Sequence, residues 1–197
     1  MSMATWVVIG VLALVGLWAM SVYNRLVELR NRIANAFGQI DVQLKRRYDL
    51  IPNLVEVARG YMQHEAATLE AVIQARGQAQ GAAATARAAP TNAGAVGALA
   101  VAEGVLGGSL GRLMVVAEAY PALKADATMQ SLSEELASTE NRLGFARQAF
   151  NDQALDFNNA AQQFPALIVA RLFGFMPAPM LESTRSEEER SAPQVKF

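Results

Sequence analysis

Side chains that could act as nucleophiles, bases or metal ligands are scarce in this 197-residue chain. Cysteine is absent, which excludes disulfides, thiolate nucleophiles and cysteine-based metal sites. His64 is the single histidine, which argues against a histidine metal site and against a conventional serine–histidine arrangement. The sequence therefore predicts no catalytic residues, no metal site and no cofactor, and we expect that the protein is not an enzyme.

Two pairs of carboxylates are the remaining candidates for chemistry, Asp41 with Asp49 and Asp152 with Asp156. The second pair lies one helical turn apart and could hold a divalent cation. No Glu-x-x-His element accompanies it, as a di-iron site in a helical bundle requires. The favoured interpretation is a set of solvated or ion-paired helix faces, with an enzyme using Asp152 and Asp156 kept as a third hypothesis.

The basic run Lys45-Arg46-Arg47 could bind anionic lipid headgroups or nucleic acid. The net charge of −1 gives no overall bias towards nucleic acid, and three consecutive helical residues point in three directions. The flank from Tyr23 to Arg47 is basic, whereas residues 126–156 are acidic. We therefore predict ion pairs between the first and last helices, and no nucleic-acid partner.

The N-terminus predicts a transmembrane anchor at residues 1–23. The run from Thr5 to Tyr23 is almost wholly apolar and, as a helix, spans about 28 Å, close to the hydrocarbon thickness of a bilayer. Trp6 and Trp18 are expected to contact the membrane interfaces. A cleaved signal peptide is the alternative, but it requires a basic n-region that the sequence lacks.

Basic residues follow the anchor and none precede it, which sets the expected orientation. Arg25, Arg30 and Arg32 place the C-terminal domain in the cytoplasm under the positive-inside rule. We expect a single-pass protein.

The rest of the chain predicts an all-α fold. Apolar residues recur every three or four positions from Leu26 to Met62, and the stripe stays in phase across Pro52. We predict one kinked helix over residues 24–76, with an end at Ile51 as the alternative. Proline has no amide, so the Tyr48 carbonyl needs a donor from Asn53 or from a neighbouring helix.

Three further elements complete the predicted bundle: an Ala/Gly-rich connection at 77–97, a second arm at 98–120 and a long last helix at 128–164. Together they indicate an antiparallel bundle of three to four helices at residues 24–164. The second arm is not predicted to span the membrane, because Glu103, Arg112 and Glu118 would be costly there.

The C-terminal part of the chain changes character twice. Residues 165–181 form an apolar segment that either docks on the bundle or lies in the membrane interface, with Leu172, Phe173 and Phe175 as the contacting residues. Residues 182–197 are predicted to be a polar tail.

Four blocks, "AFGQIDVQLKRRYDLIPNLVEVARGY", "VVAEAYPALKAD", "ENRLGFARQAFNDQALDFN" and "FPALIVARLFGF", with a terminal "VKF", resemble the LemA family of bacterial membrane proteins. The resemblance implies an anchored helical bundle in the bacterial inner (plasma) membrane, no established catalysis, and, for some relatives, a link to making or shaping membrane compartments. Phe37 and the Ala/Gly-rich arm depart from the family pattern. The motif residues are Asp41, Gln43, Arg46, Arg47, Asp49, Pro52, Asn53, Glu118, Tyr120, Pro121, Glu140, Arg147 and Asn151.

Two functional hypotheses follow from the sequence. The first is a homo-oligomeric scaffold, anchored in the lipid bilayer, that organises or remodels the membrane. The alternative is an adaptor or regulatory partner of a membrane protease or of another integral membrane protein.

Overall fold

The computed structural model describes residues 2–181; the polar tail predicted at 182–197 lies outside the described residues. The described chain forms six helices: α1 (Met3–Tyr61), α2 (Ala66–Ala88), α3 (Ala93–Ala117), α4 (Pro121–Lys124), α5 (Ala127–Gln162) and α6 (Ala166–Leu172). Four of them are long, and the all-α prediction with an N-terminal apolar helix and a helical bundle is confirmed.

The anchor and the first bundle helix are one element. Helix α1 has 59 residues and is about 88 Å long at 1.5 Å per residue. Its side chains are exposed up to Trp18, and its stripe is buried from Leu26 onwards. The helix runs through Pro52, so the alternative end at Ile51 is wrong.

The first predicted helix boundary needs correction, because α1 ends at Tyr61 and not at residue 76. A four-residue turn reverses the chain, and α2 packs back against α1. Met62 is fully buried inside this turn, and Leu69 and Val72 are buried on α2. The apolar spacing therefore continues in phase across a reversal of direction, which is why periodicity alone did not reveal it.

The predicted Ala/Gly-rich connection at 77–97 is also wrong. Helix α2 continues to Ala88, only residues 89–92 form the connection, and the α3 helix begins at Ala93 instead of residue 98. Small side chains buried at regular helical spacing hold α2 against its neighbours: Ala75, Ala79, Ala83 and Ala86. Alanine has the highest helix propensity, so an alanine-rich stretch can form a helix despite its glycines.

The last helix and the first lie side by side and antiparallel. Helix α5 is capped by Asp126, begins at Ala127, one residue before the predicted start, and ends at Gln162. Contacts pair Arg46 with Glu135 and the ring of Phe37 with that of Phe150, so α5 residue numbers rise as α1 numbers fall. The end of α5 therefore lies beside the start of the buried part of α1, at the anchor end of the bundle.

Helices α2 and α3 form a hairpin on the half of α1 that is distant from the anchor. The tip of the hairpin reaches the level of Asp41, whose carboxylate binds Arg87 near the end of α2. Closer to the anchor, the groove beside α1 and α5 is occupied by residues 175–181, which have no regular secondary structure and which we call the C-terminal strap.

Candidate functional site

A buried ionic cluster joins α1, α3 and α5 at the middle of the bundle. The Glu103 carboxylate of α3 accepts hydrogen bonds from the Arg47 guanidinium and the Tyr48 hydroxyl of α1, each at 2.6 Å. Glu140 and Arg147 of α5 complete the cluster, with Glu140 3.1 Å from Arg47 and Arg147 3.9 Å from Glu103. Two cations and two anions thus hold three helices in register.

The helical stripes explain why these charges meet in the core. On α3 the buried positions follow heptad spacing, and Glu103 occupies one of them between Leu99 and Leu106. On α1 both Arg47 and Tyr48 are buried, because α1 is packed against α5 on one side and the α2–α3 hairpin on another. A charged residue in an apolar stripe requires a buried partner, and that signal in the sequence could have identified Glu103.

The Tyr48 phenol is the neutral member of the cluster. Burial, and next the Glu103 carboxylate, raise the pKa of Tyr48 well above its ordinary value. The phenol therefore stays protonated and acts as a hydrogen-bond donor. With each guanidinium group facing a carboxylate, the cluster orients the three helices relative to one another.

The carboxylates considered from the sequence lie on ion-paired or exposed helix faces. Asp41 binds Arg87 at 2.6 Å, Asp49 binds Lys45 at 2.7 Å, and Asp152 and Asp156 lie on an exposed face. Within residues 2–181, no group of three or more His, Asp or Glu side chains is arranged to hold a metal ion.

The basic run of α1 divides between two roles. Arg46 binds Glu135 of α5 at 2.5 Å and Arg47 contacts Glu140 of the same helix, as the charge pattern predicted. Lys45 instead pairs with Asp49 within its own helix. Neither the Glu103 partner of Arg47 nor the Arg87 partner of Asp41 was predicted from the sequence.

The carbonyl freed by Pro52 is satisfied from a neighbouring helix. The Nε of Arg76 on α2 donates to the Tyr48 carbonyl over 2.6 Å, whereas Asn53 is exposed. One of the two donors predicted for this carbonyl is therefore confirmed. A charged donor at this distance makes a strong hydrogen bond, and it fastens the middle of α2 to the turn of α1 that contains Pro52.

Other motif residues lie at helix ends or on the surface. Glu118 binds Lys124 at 3.0 Å, Tyr120 packs against the core, and Pro121 is the first residue of α4. The side-chain oxygen of Gln43 is buried and makes no hydrogen bond to any described residue.

Two asparagines of α5 hold the C-terminal strap by its backbone. Asn151 donates to the Leu181 carbonyl over 2.6 Å and accepts from the Leu181 amide over 2.8 Å. Asn158 makes the same pair of bonds with Ala178, at 3.0 and 2.8 Å. Ala178 and Leu181 are buried by this docking. The predicted docking of residues 165–181 on the bundle therefore occurs in the strap, and Asn158 is a functional position that the sequence reasoning missed.

Part of the same segment remains uncovered, next to the anchor. The ring of Phe173 lies 4.9 Å from that of Tyr23, and the ring of Phe175 lies 5.6 Å from it. Leu172 and Phe173 are exposed, and Phe175 is half-buried. Trp6 and Trp18 are exposed on the apolar part of α1.

A second exposed apolar surface lies on α3. Val101 and Val115 are 70% and 73% exposed, and the positions between them at alternating spacings of three and four residues are glycines. We call this the α3 outer face, and its members are Gly97, Val101, Gly104, Gly108, Gly111 and Val115. By length and composition, α1 and α3 are the two described helices that could cross a membrane.

Comparison with known proteins gives a family and three relatives. A model of the LemA family matches residues 36–197. Magnetosome protein MamQ of Magnetospirillum gryphiswaldense is 35% identical over 82 residues, 42% of this chain and 30% of that protein. Magnetosome proteins MamQ 1 and MamQ 2 of Paramagnetospirillum magneticum are each 33% identical over 81 residues, 41% of this chain and 30% of each relative. The matches thus span less than a third of the length of these curated relatives.

Proposed function

The chain belongs to the LemA family, and from that membership together with its uncovered apolar surfaces we propose that it is a membrane-anchored, self-associating helical scaffold without catalytic activity. The observation that carries the proposal is the continuity of α1, which passes without a break from an exposed apolar segment into a buried bundle stripe. In such a protein any force on the bundle is transmitted directly to the anchor.

Anchoring rests on the first third of α1. Its exposed apolar length matches a bilayer, with Trp6 near one end and Trp18 and Tyr23 towards the other. Arg25, Arg30 and Arg32 follow on one side. The proposed location is the bacterial inner membrane, crossed once, with the bundle in the cytoplasm. Helix α3 is assigned to the bundle because Glu103 would have to leave its buried ion pair to enter lipid.

The proposed surface for self-association is the α3 outer face. Its heptad spacing is the pattern by which one helix packs against another, and its glycines allow close approach of two backbones. Copies in one membrane share an orientation, so their α3 helices lie at the same height and identical residues can meet across a two-fold axis. Such a dimer, in which each copy holds an anchor, would organise or remodel the membrane beneath it.

The relatives support this role. All three are named as magnetosome proteins. We propose that this chain likewise serves in the organisation of a membrane compartment.

Native mass measurement in detergent tests self-association. The full chain should form a concentration-dependent oligomer, and V101E with V115E should shift it to the monomer, because charges on the outer face cannot be buried unpaired. V42E is the matched control, since Val42 is 59% exposed on α1 and outside the proposed contact. A wild-type chain that is monomeric at every concentration would overturn the scaffold.

Protease protection in intact spheroplasts tests the orientation. The proposal expects the bundle to be protected until the membrane is opened, because the basic residues lie on its side of the anchor. Complete digestion from outside would reverse the assignment.

The C-terminal segment favours a second candidate function, an adaptor for a membrane protease or another integral membrane protein. The strap is held by backbone hydrogen bonds from Asn151 and Asn158, while large apolar side chains before it stay exposed. Affinity purification of the full chain and of a chain ending at residue 163 separates the two functions. An adaptor loses a stoichiometric partner with the segment, whereas a scaffold does not.

A further inference from the structure

Five large apolar side chains around α6 point away from the bundle and form what we call the apolar edge. The exposed fractions are 81% for Phe164, 59% for Ile168, 78% for Leu172, 56% for Phe173 and 75% for Met176. Ile168 and Leu172 lie four residues apart on one face of α6, and Phe164 lies just before the helix. The opposite face is used for packing, because Val169 and Ala170 are buried. The apolar edge is therefore an outward surface of a docked helix.

The apolar edge lies at the end of the anchor. The Phe173 ring packs edge-on against Tyr23, and Tyr23 is the last residue of the apolar run that begins at Thr5. Arg30, two turns further along α1, lies over the Phe175 ring at 5.7 Å. Aromatic and basic side chains are typical of the membrane–water boundary, and here both flank the apolar edge.

Local backbone structure fixes this placement. Helix α6 ends in a Schellman turn, in which the Phe175 amide donates to the Ala170 carbonyl over 2.9 Å and Gly174 has a φ of 71°. The turn sends Phe175 towards the core and leaves Phe173 facing outwards. Asn158 then holds the following strap, so the apolar edge cannot fold back onto the bundle without breaking these bonds.

We propose that the apolar edge inserts into the interface of the same bilayer that holds the anchor. The bilayer is the occupant because the surface is continuous with the anchor: lipids that surround α1 at the level of Tyr23 also meet Phe173. Arg171 is exposed within the same stretch and can reach anionic headgroups, as in interfacial helices. The inference rests on the proposed anchoring of α1.

A second membrane contact would restrict the rotation of the anchor helix about its own axis. One transmembrane helix is free to rotate about its axis, whereas a helix with a fixed lateral contact is not. The apolar edge would therefore set the direction in which the bundle, about 57 Å from Asn24 to Tyr61, leaves the membrane. Each copy would then present its α3 outer face at the same height and in a defined direction.

The absence of cysteine allows a direct test by site-specific spin labelling of the full chain. We would label L172C and M176C on the apolar edge, V11C in the anchor and V42C on α1 within the bundle, and reconstitute each into vesicles of phosphatidylcholine and phosphatidylglycerol. The collision rates of the nitroxide with oxygen and with a water-soluble nickel chelate report its depth. V42C is the matched control, because Val42 is exposed on the bundle but lies outside both the apolar edge and the α3 outer face.

The expected result is nickel accessibility at L172C and M176C several-fold below that at V42C, with high oxygen accessibility and a depth shallower than that of V11C. If L172C and M176C are as accessible to nickel as V42C while V11C lies in lipid, the insertion alone is overturned. If the label at L172C lies in lipid while that at V11C lies in water, the result would support insertion of the apolar edge and reject the proposed anchor. A third outcome is that neither oxygen nor the nickel chelate reaches the labels, and that the spectra show spin–spin broadening which disappears when unlabelled chain is added. This outcome would assign the apolar edge to a contact with a second copy and overturn the proposal.

Discussion

Replacing Glu103 with alanine should destabilise the bundle more than replacing any other glutamate described here. The side chains of Glu103 and Arg47 are only 4% and 5% exposed. E103A removes the carboxylate that both Arg47 and Tyr48 use, and it leaves a guanidinium in the core with Glu140 as its remaining close partner.

The expected loss of unfolding free energy depends on which charged groups remain buried after the substitution. Removing one member of a buried ion pair costs about 3–5 kcal/mol, because the other charge is left without full compensation. E103Q keeps an acceptor for the Tyr48 hydroxyl but loses the charge, so its cost should be smaller, about 1.5–3 kcal/mol. R47M combined with E103L removes both charges together and should be much less harmful than E103A, since an apolar pair replaces a buried ion pair at little net cost.

The measurement is equilibrium unfolding of the full chain in detergent by guanidinium chloride, followed by far-ultraviolet circular dichroism. The slope with denaturant should be unchanged among variants, so that midpoint shifts report stability. E135A is the matched control: Glu135 is 38% exposed and pairs with Arg46 on the surface, so its loss should cost about 0–1 kcal/mol. If E103A lowers the free energy of unfolding by no more than E135A does, the account is refuted, because the guanidinium group of Arg47 would then be hydrated as readily as that of Arg46.

Further predictions concern the proline carbonyl, the α5 cap and the strap. R76M should destabilise the fold by about 1.5–3 kcal/mol in the same unfolding assay, because the Tyr48 carbonyl loses a charged donor. In a P52A background the cost of R76M should be clearly smaller, because the amide of residue 52 can then donate to that carbonyl. Equal costs in both backgrounds would contradict the assignment. The Met129 amide, and next the Tyr61 hydroxyl, lower the pKa of Asp126 in the folded protein. Such a carboxylate stabilises the fold at pH values above its pKa in the unfolded chain, and this stabilisation is lost as the pH falls through its pKa in the folded protein. The thermal midpoint of wild type should therefore fall more steeply on acidification below about pH 4 than that of D126N, which keeps a cap without the charge. N151A with N158A should accelerate hydrogen exchange of the Ala178 and Leu181 amides roughly tenfold each, since each loses one hydrogen bond; unchanged exchange would show that burial of these residues alone holds the strap.

The class of fold was predictable because it depends on long hydrophobic patterns, which do not change when a helix boundary is misplaced by a few residues. The apolar run before Asn24 and the stripe on α5 were predicted with nearly correct bounds, since long periodic segments bury one face whatever their neighbours do. The reversal at Met62 was missed for the same reason: its flanking residues are buried on both sides of the turn, so nothing in their spacing records the change of direction.

Composition misled where packing decided the outcome. Glycine and alanine around residues 77–97 suggested a connection, but the buried alanines of α2 need close neighbours, and these are supplied by α1 and α3. Propensity is a weak guide once tertiary contacts form.

Site residues were predictable in part. Pro52 identified its own missing hydrogen bond, and the charge pattern identified the partner of Arg46. Glu103 was considered only as an obstacle to membrane insertion, although its place in an apolar stripe implied a buried partner. Asn151 stood out as a motif residue, yet its role depends on a strap that follows it by 30 residues and that no local pattern connects to it.

Disulfide trapping in native membranes tests the central claim most directly, because the chain has no cysteine of its own. Under mild oxidation V101C should form a covalent dimer in high yield, since a two-fold contact of α3 outer faces brings equal residues within the roughly 7 Å that a disulfide requires between Cα atoms. V42C, exposed on α1, should stay monomeric under the same conditions. Monomeric V101C, or dimers of V101C and V42C in equal yield, would contradict self-association through α3.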